Sequence, residues 1–452
     1  MYRNGRSIHM HIVCHRAGTQ PPTNHRNFPM NTAEPLESAF ARARDQYAAL
    51  GVEVDQALAS LRSIALSLHC WQGDDVHGFE RKPDAASSGG IQVTGAYPGA
   101  ARTIDELRGD LQKAYSLIPG SHRLNLHAMY GDFGSRVVDR DQIEPAHFLS
   151  WMDWCREHHL GLDFNATCFG HPRANTGFTL SSTDTGIRNF WIEHVRRCRE
   201  IGAVIGKTLG TACVHNLWIP DGAKDITVRR HLHRTILKES LDAIYARPYD
   251  KDDLRDAVES KLFGIGSESF VVGSHEFYMG YALAHHLMLC LDLGHFHPTE
   301  SVADKVSALL HYTDDLLLHV SRGVRWDSDH VVIMNDEITT LAEEIVRADA
   351  LGRVRIALDF FDGSMNRIGA WVLGSRSTLK ALLRALLEPR ERLTALEAEG
   401  NLFARMALLE DLKTMPVGVV WDYYCSREDV PTGEALREAI HSYEQQVLAR
   451  RG

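Results

Sequence analysis

Two short apolar runs in the second half of the chain each end in side chains that can bind a metal ion. The runs are residues 287–291 and 316–318. The side chains that follow them are Asp292, His295 and His297 after the first run, and His319, Asp327 and Asp329 after the second. Apolar runs of this length that end in ionisable residues are typical of buried parallel strands leading into a site. Because clustered carboxylates repel one another unless a cation neutralises them, the pattern predicts a divalent metal site.

Strand and helix patterns alternate along the chain and would position these residues. Strands are predicted at residues 64–68, 123–128, 161–165, 212–219, 256–263, 287–292, 316–320 and 354–359. Helices are predicted at residues 35–50, 104–117, 145–159, 184–206, 228–246, 301–312 and 337–352. About eight strand–helix units are expected for a (β/α)₈ TIM barrel, whose functional residues lie at the C-terminal ends of its strands.

Seven candidate ligands fall at these strand ends or just beyond them. The strand ends carry Glu259, Asp292, His319 and Asp359, and the following loops carry His295, Asp327 and Asp329. Carboxylates with a few imidazoles and no thiolates suit Mg²⁺ or Mn²⁺ better than a cysteine-rich zinc site. Seven ligands exceed what one octahedral ion takes from protein, so we expect two ions, one enclosed and one open to substrate and water.

Each of these residues also has a purely structural interpretation. An aspartate after a strand is often a helix N-cap, and His319 alone could be a hydrogen-bonded core histidine. His297 precedes Pro298, which favours an extended backbone, so it could simply cap its loop. The metal interpretation is favoured because strand-linked candidates recur at equivalent ends, behind apolar runs such as LMLC and RIAL where a solvated face would not lie.

Three further side chains follow predicted strands and could line a sugar pocket. Trp71, His127 and Trp218 are the residues concerned. The tryptophans could pack their indole faces on sugar C–H groups, or they could only plug the mouth of the barrel. Lys261 lies two residues after Glu259 and so on the same strand face. It could bind a sugar oxygen or polarise a proton-bearing group, or it could be only a charge partner of Glu259.

Composition and charge exclude several classes of function. The 452 residues are 44% hydrophobic and 24% charged, which is typical of a globular protein. The formal net charge of -10 argues against a nucleic-acid or anionic-membrane partner, and no apolar run is long enough to span a bilayer. The eight cysteines include no CxxC pair, and with no secretory signal we expect reduced thiols and a cytoplasmic location.

Three segments are predicted along the chain. Residues 1–33 are basic and lack an apolar face, so we expect a disordered extension, with Met30 as an alternative start. Residues 34–374 are predicted to form the (β/α)₈ barrel, which we expect to be the catalytic part. Residues 375–452 are predicted to form charged amphipathic helices, interrupted by Pro389 and Pro416. We expect these helices to pack on the barrel and on neighbouring subunits.

Long motifs in the chain resemble L-rhamnose isomerases of the bacterial catabolic type. The motifs are HCWQGDD, RLNLHA, NLWIPDGAKDI, VESKLFGIG, EFYMGYA, LDLGHFHPTE, HVSRGVRWDSDHVV and LDFFD. The resemblance covers residues 30–452 and leaves residues 1–29 outside it. It implies a (β/α)₈ barrel, a homotetramer, dependence on Mn²⁺ with two divalent ions per subunit, and reversible interconversion of L-rhamnose and L-rhamnulose.

The resemblance also implies roles for the candidate residues. His295, Asp327 and Asp329 would hold the catalytic ion, Glu259, Asp292, His319 and Asp359 the structural ion, and Trp71, His127, Trp218 and Lys261 the sugar. Lys261, Asp327 and Asp329 would be the catalytic residues. A metal bound to the sugar oxygens polarises the carbonyl and favours a hydride shift between C1 and C2. Water or hydroxide oriented by Asp327 or Asp329 would move the proton, and an enediol route is the rival.

Two other functions stay open from the sequence. A metal-dependent sugar epimerase or aldolase on the same barrel would yield a C3 epimer or cleaved fragments in place of a ketose. A catalytically inactive sugar-binding or scaffold barrel would tolerate replacements in the ligand set, yet every candidate ligand is present.

Overall fold

Eight parallel strands close into a barrel in the computed structural model of this chain. The structure describes residues 35–80, 93–261, 269–297, 299–324 and 328–451. The barrel strands are β1 (Ala65–His69), β2 (Ser121–His127), β3 (Gly161–Asn165), β4 (Cys213–Leu217), β6 (Leu254–Glu259), β8 (Met288–Asp292), β9 (Leu316–Val320) and β10 (Val354–Leu358). Two short strands, β5 (Gly222–Ala223) and β7 (Phe270–Val271), form a separate antiparallel pair. The strand order β1-β10-β9-β8-β6-β4-β3-β2 confirms the predicted (β/α)₈ barrel.

Helices surround the barrel and continue beyond it. They are α1 (Leu36–Ala48), α2 (Val54–Ser63), α3 (Ile104–Tyr115), α4 (Leu149–Glu157), α5 (Thr185–Leu209), α6 (Arg230–Tyr245), α7 (His275–His285), α8 (Ala303–Leu309), α9 (Asp336–Arg347), α10 (Arg367–Leu386), α11 (Arg390–Ala398), α12 (Leu402–Leu412), α13 (Val417–Arg427) and α14 (Gly433–Gln446). Among the helices in the described ranges, none combines the length and apolar character needed to cross a bilayer.

The interior of the barrel explains where the candidate ligands lie. A small apolar cluster fills its middle, formed by Val214, Ala257, Met288, Cys290, Leu317 and Ala357. Strand side chains alternate between faces, so the residue two positions further on faces the same interior, one layer closer to the C-terminal mouth. Four candidate ligands stand in this relation to the cluster, namely Glu259, Asp292, His319 and Asp359.

Most predicted elements are confirmed, with boundaries shifted by a few residues. The strands at 161–165 and 316–320 agree with β3 and β9 at both ends. The strand expected at 256–263 instead begins at Leu254 and ends at Glu259. The helix expected at 145–159 divides into a 3₁₀ turn, Pro145–Phe148, and α4.

The C-terminal helices are joined to the barrel without a break. The boundary predicted between residues 374 and 375 falls inside α10, which also packs against α9, α2 and α3. Further along, α13 packs on α1, where the rings of Phe40 and Tyr423 stack at 3.6 Å. The division into two domains therefore stays a prediction, and the extension expected at residues 1–33 lies outside the described residues.

Candidate metal centre

Four side chains from neighbouring strands meet at the C-terminal mouth of the barrel. Asp292 lies opposite His319 across the β8–β9 pair, and the backbone N–H of Asp359 extends the β9–β10 ladder by donating to the Val320 carbonyl. One ligand atom from each of Glu259, Asp292, His319 and Asp359 lies within 4.8 Å of the others, and all four residues are buried. We call this set the four-ligand cluster.

His319 is at the centre of the four-ligand cluster. Its Nδ1 lies 2.9 Å from Asp359 Oδ2, 3.4 Å from Glu259 Oε2 and 3.8 Å from Asp292 Oδ2. Burial by itself would lower the pKa of His319, but Cys290 and the facing carboxylates raise it well above its ordinary value. In the ion-free protein the imidazolium is therefore the counter-charge of the carboxylates, the role that a metal cation would take over.

Two of the three carboxylates that face His319, those of Asp359 and Glu259, differ in electrostatic environment. Burial raises the pKa of Asp359, against the opposing effect of His319. Burial also acts to raise the pKa of Glu259, but His319, His295 and the Asn216 amide more than offset it, so its pKa lies below the ordinary value. Glu259 is therefore held as a carboxylate, whereas the fold disfavours the charged form of Asp359.

The donor set fits a divalent cation. Asp359 Oδ1 and His319 Nε2 are buried and make no hydrogen bond within the described part of the chain. Buried polar atoms without partners are rare in native proteins and indicate a missing ion or water. Three carboxylates and an imidazole, at one mouth of a closed barrel, are the ligands expected for Mg²⁺ or Mn²⁺.

The remaining candidate ligands follow β8 and β9 in the chain, and their contacts differ. His295 follows β8 on a short 3₁₀ turn, Leu293–His295, and its Nδ1 lies 3.2 Å from Glu259 Oε1. Asp329 has a positive φ of 40°, and its carbonyl accepts a hydrogen bond from the Phe361 N–H, which joins the loops after β9 and β10. Asp327 lies outside the described residues. His297 is exposed, and its Nδ1 forms a hydrogen bond with the Thr299 hydroxyl, in agreement with the interpretation that it caps its loop.

A histidine that the sequence analysis did not select lies beside the four-ligand cluster. His69 is the last residue of β1, and its Nδ1 lies 3.4 Å from Asp359 Oδ1 and 3.2 Å from His127 Nε2. Burial, with smaller effects from His319 and His127, lowers the pKa of His69 well below its ordinary value, so it is a neutral imidazole. The signal available in the sequence was its position directly after the strand predicted at residues 64–68, two residues after Ser67 and so on the same strand face.

An aromatic wall extends from the cluster across the loops. It consists of Trp71, His127, Phe169, Trp218 and Phe361. Trp71 stacks on His127 at 4.0 Å and contacts Phe361 edge-on at 5.5 Å, and Phe169 lies 6.4 Å from Trp71 and 5.9 Å from Trp218. The indole N–H groups of both tryptophans are buried without a hydrogen-bond partner in the described ranges, so each has a donor to offer a ligand.

Lys261 lies beside this wall and is not in the four-ligand cluster. Its Nζ donates to the Pro220 carbonyl at 2.7 Å and lies 5.8 Å from the centre of the Trp218 ring. The amide of Asn216, from the adjacent strand β4, donates instead to Glu259. The sequence did not predict Asn216, Phe169 and Phe361, because a polar or aromatic residue near the end of a strand or after it is common without a function.

Comparison with known proteins finds, at high similarity, the family that the sequence motifs resemble. Residues 34–451 match the family model described as L-rhamnose isomerase (RhaA). The chain is 57% identical over 422 residues to an L-rhamnose isomerase of Rhodopirellula baltica, covering 93% of this chain and 98% of the relative. It is 54% identical to that of Bacteroides thetaiotaomicron, covering 93% and 100%. A solved structure of L-ribulose 3-epimerase aligns with a TM-score of 0.44 at 10% identity, over 74% of this chain and 97% of that one, which is too distant to bear on function.

Proposed function

Because this chain belongs to the L-rhamnose isomerase family, we propose that it interconverts L-rhamnose and L-rhamnulose with the help of divalent metal ions. The observation that carries the proposal is the four-ligand cluster, buried at the mouth of the barrel where such enzymes place their chemistry.

We propose that two Mn²⁺ ions bind per subunit. Glu259, Asp292, His319 and Asp359 would hold the enclosed ion, and His295, Asp327 and Asp329 the ion open to the sugar. The 3.2 Å contact between His295 and Glu259 supports adjacent sites that share one wall. A bound divalent ion supplies Lewis-acid polarisation of the sugar oxygens at C1 and C2.

The protein's own side chains would hold the sugar and exclude water. Trp71 and Trp218 offer indole faces to C–H groups and two unpartnered N–H donors to hydroxyls. His127, stacked on Trp71, would bind a hydroxyl through its buried, unpartnered Nδ1. Lys261 would stabilise negative charge on a sugar oxygen during transfer of hydrogen between C1 and C2. Asp327 or Asp329 would orient the group that carries the proton between O1 and O2.

The experiment that tests this proposal starts from protein stripped with a chelator. Mn²⁺ should restore conversion of L-rhamnose to L-rhamnulose, and an exposed-site variant, Asp153→Asn, should behave like the wild type. With C2-deuterated sugar, retention of the label at C1 supports the hydride shift, and washout into solvent supports the enediol route. A C3 epimer or cleaved fragments in place of the ketose would reject the assignment.

We further propose a homotetramer that acts in the cytoplasm. Three large apolar side chains on α12 support a subunit contact, since Leu402, Phe403 and Met406 are 54%, 84% and 61% exposed in the single chain. Seven cysteines of the described ranges are buried free thiols, as expected in a reducing compartment. Light scattering on the wild type and on Phe403→Glu would test the tetramer, and a smaller assembly is expected for the variant.

A further inference from the structure

The carbonyl that holds Lys261 belongs to a segment anchored by a buried aspartate. Lys261 is itself only 4% exposed, and its ammonium reaches the Pro220 carbonyl at 2.7 Å. Pro220 lies in the loop after β4, which also carries Trp218. The orientation of the ammonium therefore depends on where this loop is fixed.

Asp221, the next residue, fixes the loop through its carboxylate. Its Oδ1 accepts from the backbone N–H of Thr179 at 2.8 Å and from the Thr179 hydroxyl at 2.5 Å. Its Oδ2 accepts in the same way from the Ser181 N–H at 2.9 Å and the Ser181 hydroxyl at 2.5 Å. Asp221 is 1% exposed, and its four donors all come from the loop after β3.

The backbone around Asp221 joins a third loop to the same anchor. The Asp221 carbonyl accepts from the Val272 N–H at 3.1 Å, and the next residues pair as β5 with β7. Next to Val272, the Gly273 carbonyl accepts from the Lys261 N–H at 3.2 Å. The loops after β3, β4 and β6 are thus held together, with Lys261 bound to them at both its backbone and its ammonium.

We propose that Asp221 is a positioning residue for Lys261, acting through the Pro220 carbonyl and the Trp218 ring. This inference rests on the proposed function, in which Lys261 stabilises charge on the sugar. Burial of an ionised carboxylate is unfavourable unless donors compensate it, and four donors from one loop are what makes the anchor rigid. Rigidity matters because a displacement of about 1 Å in a catalytic group can lower turnover about 100-fold.

Asp221→Asn is the informative substitution. Its NH₂ would face one backbone N–H, which cannot accept, and one hydroxyl, which would have to turn in order to accept, so one half of the anchor is weakened with little change of volume. We expect kcat for L-rhamnose to fall about 10- to 100-fold, with a smaller change in KM. A measurement of stability alone would not separate this role from a structural one.

A double-mutant cycle with Lys261→Met makes the separation. If Asp221 acts through Lys261, Asp221→Asn should lower kcat no more than about twofold further once Lys261 is methionine. The matched control is Asp163→Asn, a buried carboxylate that accepts from Ser67, Arg123 and the Val214 N–H toward the opposite end of the barrel. Asp163→Asn and Lys261→Met should act independently, so the fall in kcat of their double variant should equal the product of the two single falls.

The positioning role would be overturned if, in active, metal-loaded enzyme, the fall in kcat of the double variant equalled the product of the falls caused by Asp221→Asn and by Lys261→Met alone. If Asp221→Asn fails to fold, Ser181→Ala removes one donor more gently, and its smaller loss of kcat should likewise vanish in the Lys261→Met background; persistence of that loss would overturn the role. Wild-type protein that does not convert L-rhamnose would reject the proposed function itself, and the role of Asp221 with it.

Discussion

Replacing Asp359 by asparagine should separate the electrostatic strain of the four-ligand cluster from its capacity to bind metal. Asp359 is buried, and its ligand atom lies within 4.8 Å of those of Glu259 and Asp292. Burial raises the pKa of Asp359, so the fold disfavours its charge when no cation is present. Asparagine keeps the shape of the side chain and removes that charge.

The expected magnitude follows from the distances. At 4.8 Å and an effective dielectric of about 20, each like-charge pair is unfavourable by about 3.5 kcal/mol, so the two pairs made by Asp359 together amount to about 7 kcal/mol. Attraction between Asp359 and the His319 imidazolium at 2.9 Å is favourable by about 6 kcal/mol at the same dielectric. The metal-free variant should therefore be about 1 to 2 kcal/mol more stable than the wild type near neutral pH, once the lower burial penalty is included.

The pH dependence of this gain has a definite sign. A carboxyl group whose pKa is raised on folding destabilises the folded state when it is ionised. The gain from Asp359→Asn should thus be present at neutral pH and disappear as the pH falls below the ordinary aspartate value, where Asp359 is protonated in both states.

Metal binding should reverse the order of stability. At a free Mn²⁺ concentration of about 100 Kd, binding stabilises the wild type by about 2.7 kcal/mol. A variant with about 100-fold weaker affinity, a typical consequence of disturbing a metal site, gains only about 0.4 kcal/mol. The wild type should overtake the variant as Mn²⁺ is added.

Denaturation midpoints measured with EDTA and across a Mn²⁺ titration would provide the test. Asp163→Asn is the control, because it removes the charged partner of Arg123, which lies 2.7 Å away. Its free energy of unfolding should fall by about 3 to 5 kcal/mol, while Mn²⁺ should stabilise it as much as the wild type. An Asp359→Asn protein that is destabilised without metal and retains the wild-type response to Mn²⁺ would refute the assignment of these residues to one ion.

Three further substitutions test other parts of the site and fold. Asp327→Asn should abolish L-rhamnose turnover and leave the circular dichroism spectrum unchanged. His69→Phe should weaken Mn²⁺ binding about 10- to 100-fold in calorimetry, because it removes a polar ring nitrogen that lies 3.4 Å from the Oδ1 atom of the ligand Asp359. Asp256→Asn should lower stability at pH 7 by about 3 to 5 kcal/mol. Burial acts to raise the pKa of Asp256, but His215 and Arg199 more than offset this and lower it, so the difference between wild type and variant should shrink only as the pH falls below about 4 in acid-denaturation curves.

The chain's own pattern was sufficient to predict the barrel and most of its strand ends. Apolar runs such as those in β8 and β9 identify strands buried on both faces, and alternation of side chains then places Asp292 and His319 in the interior layer at the mouth. These are local properties of a few consecutive residues, which is why they can be read without knowing any partner. Motif resemblance added the identity of the family.

Only the tertiary structure decided which residues from distant segments come into contact. His69 lies beside Asp359 because β1 closes the barrel against β10, a pairing between the two ends of the barrel sequence. Asp221 becomes an anchor only because Thr179 and Ser181, from another loop, turn four donors toward it. Side-chain periodicity defines the face on which a residue lies, whereas its neighbours depend on the closure of the whole sheet and on the packing of loops that share no sequence pattern.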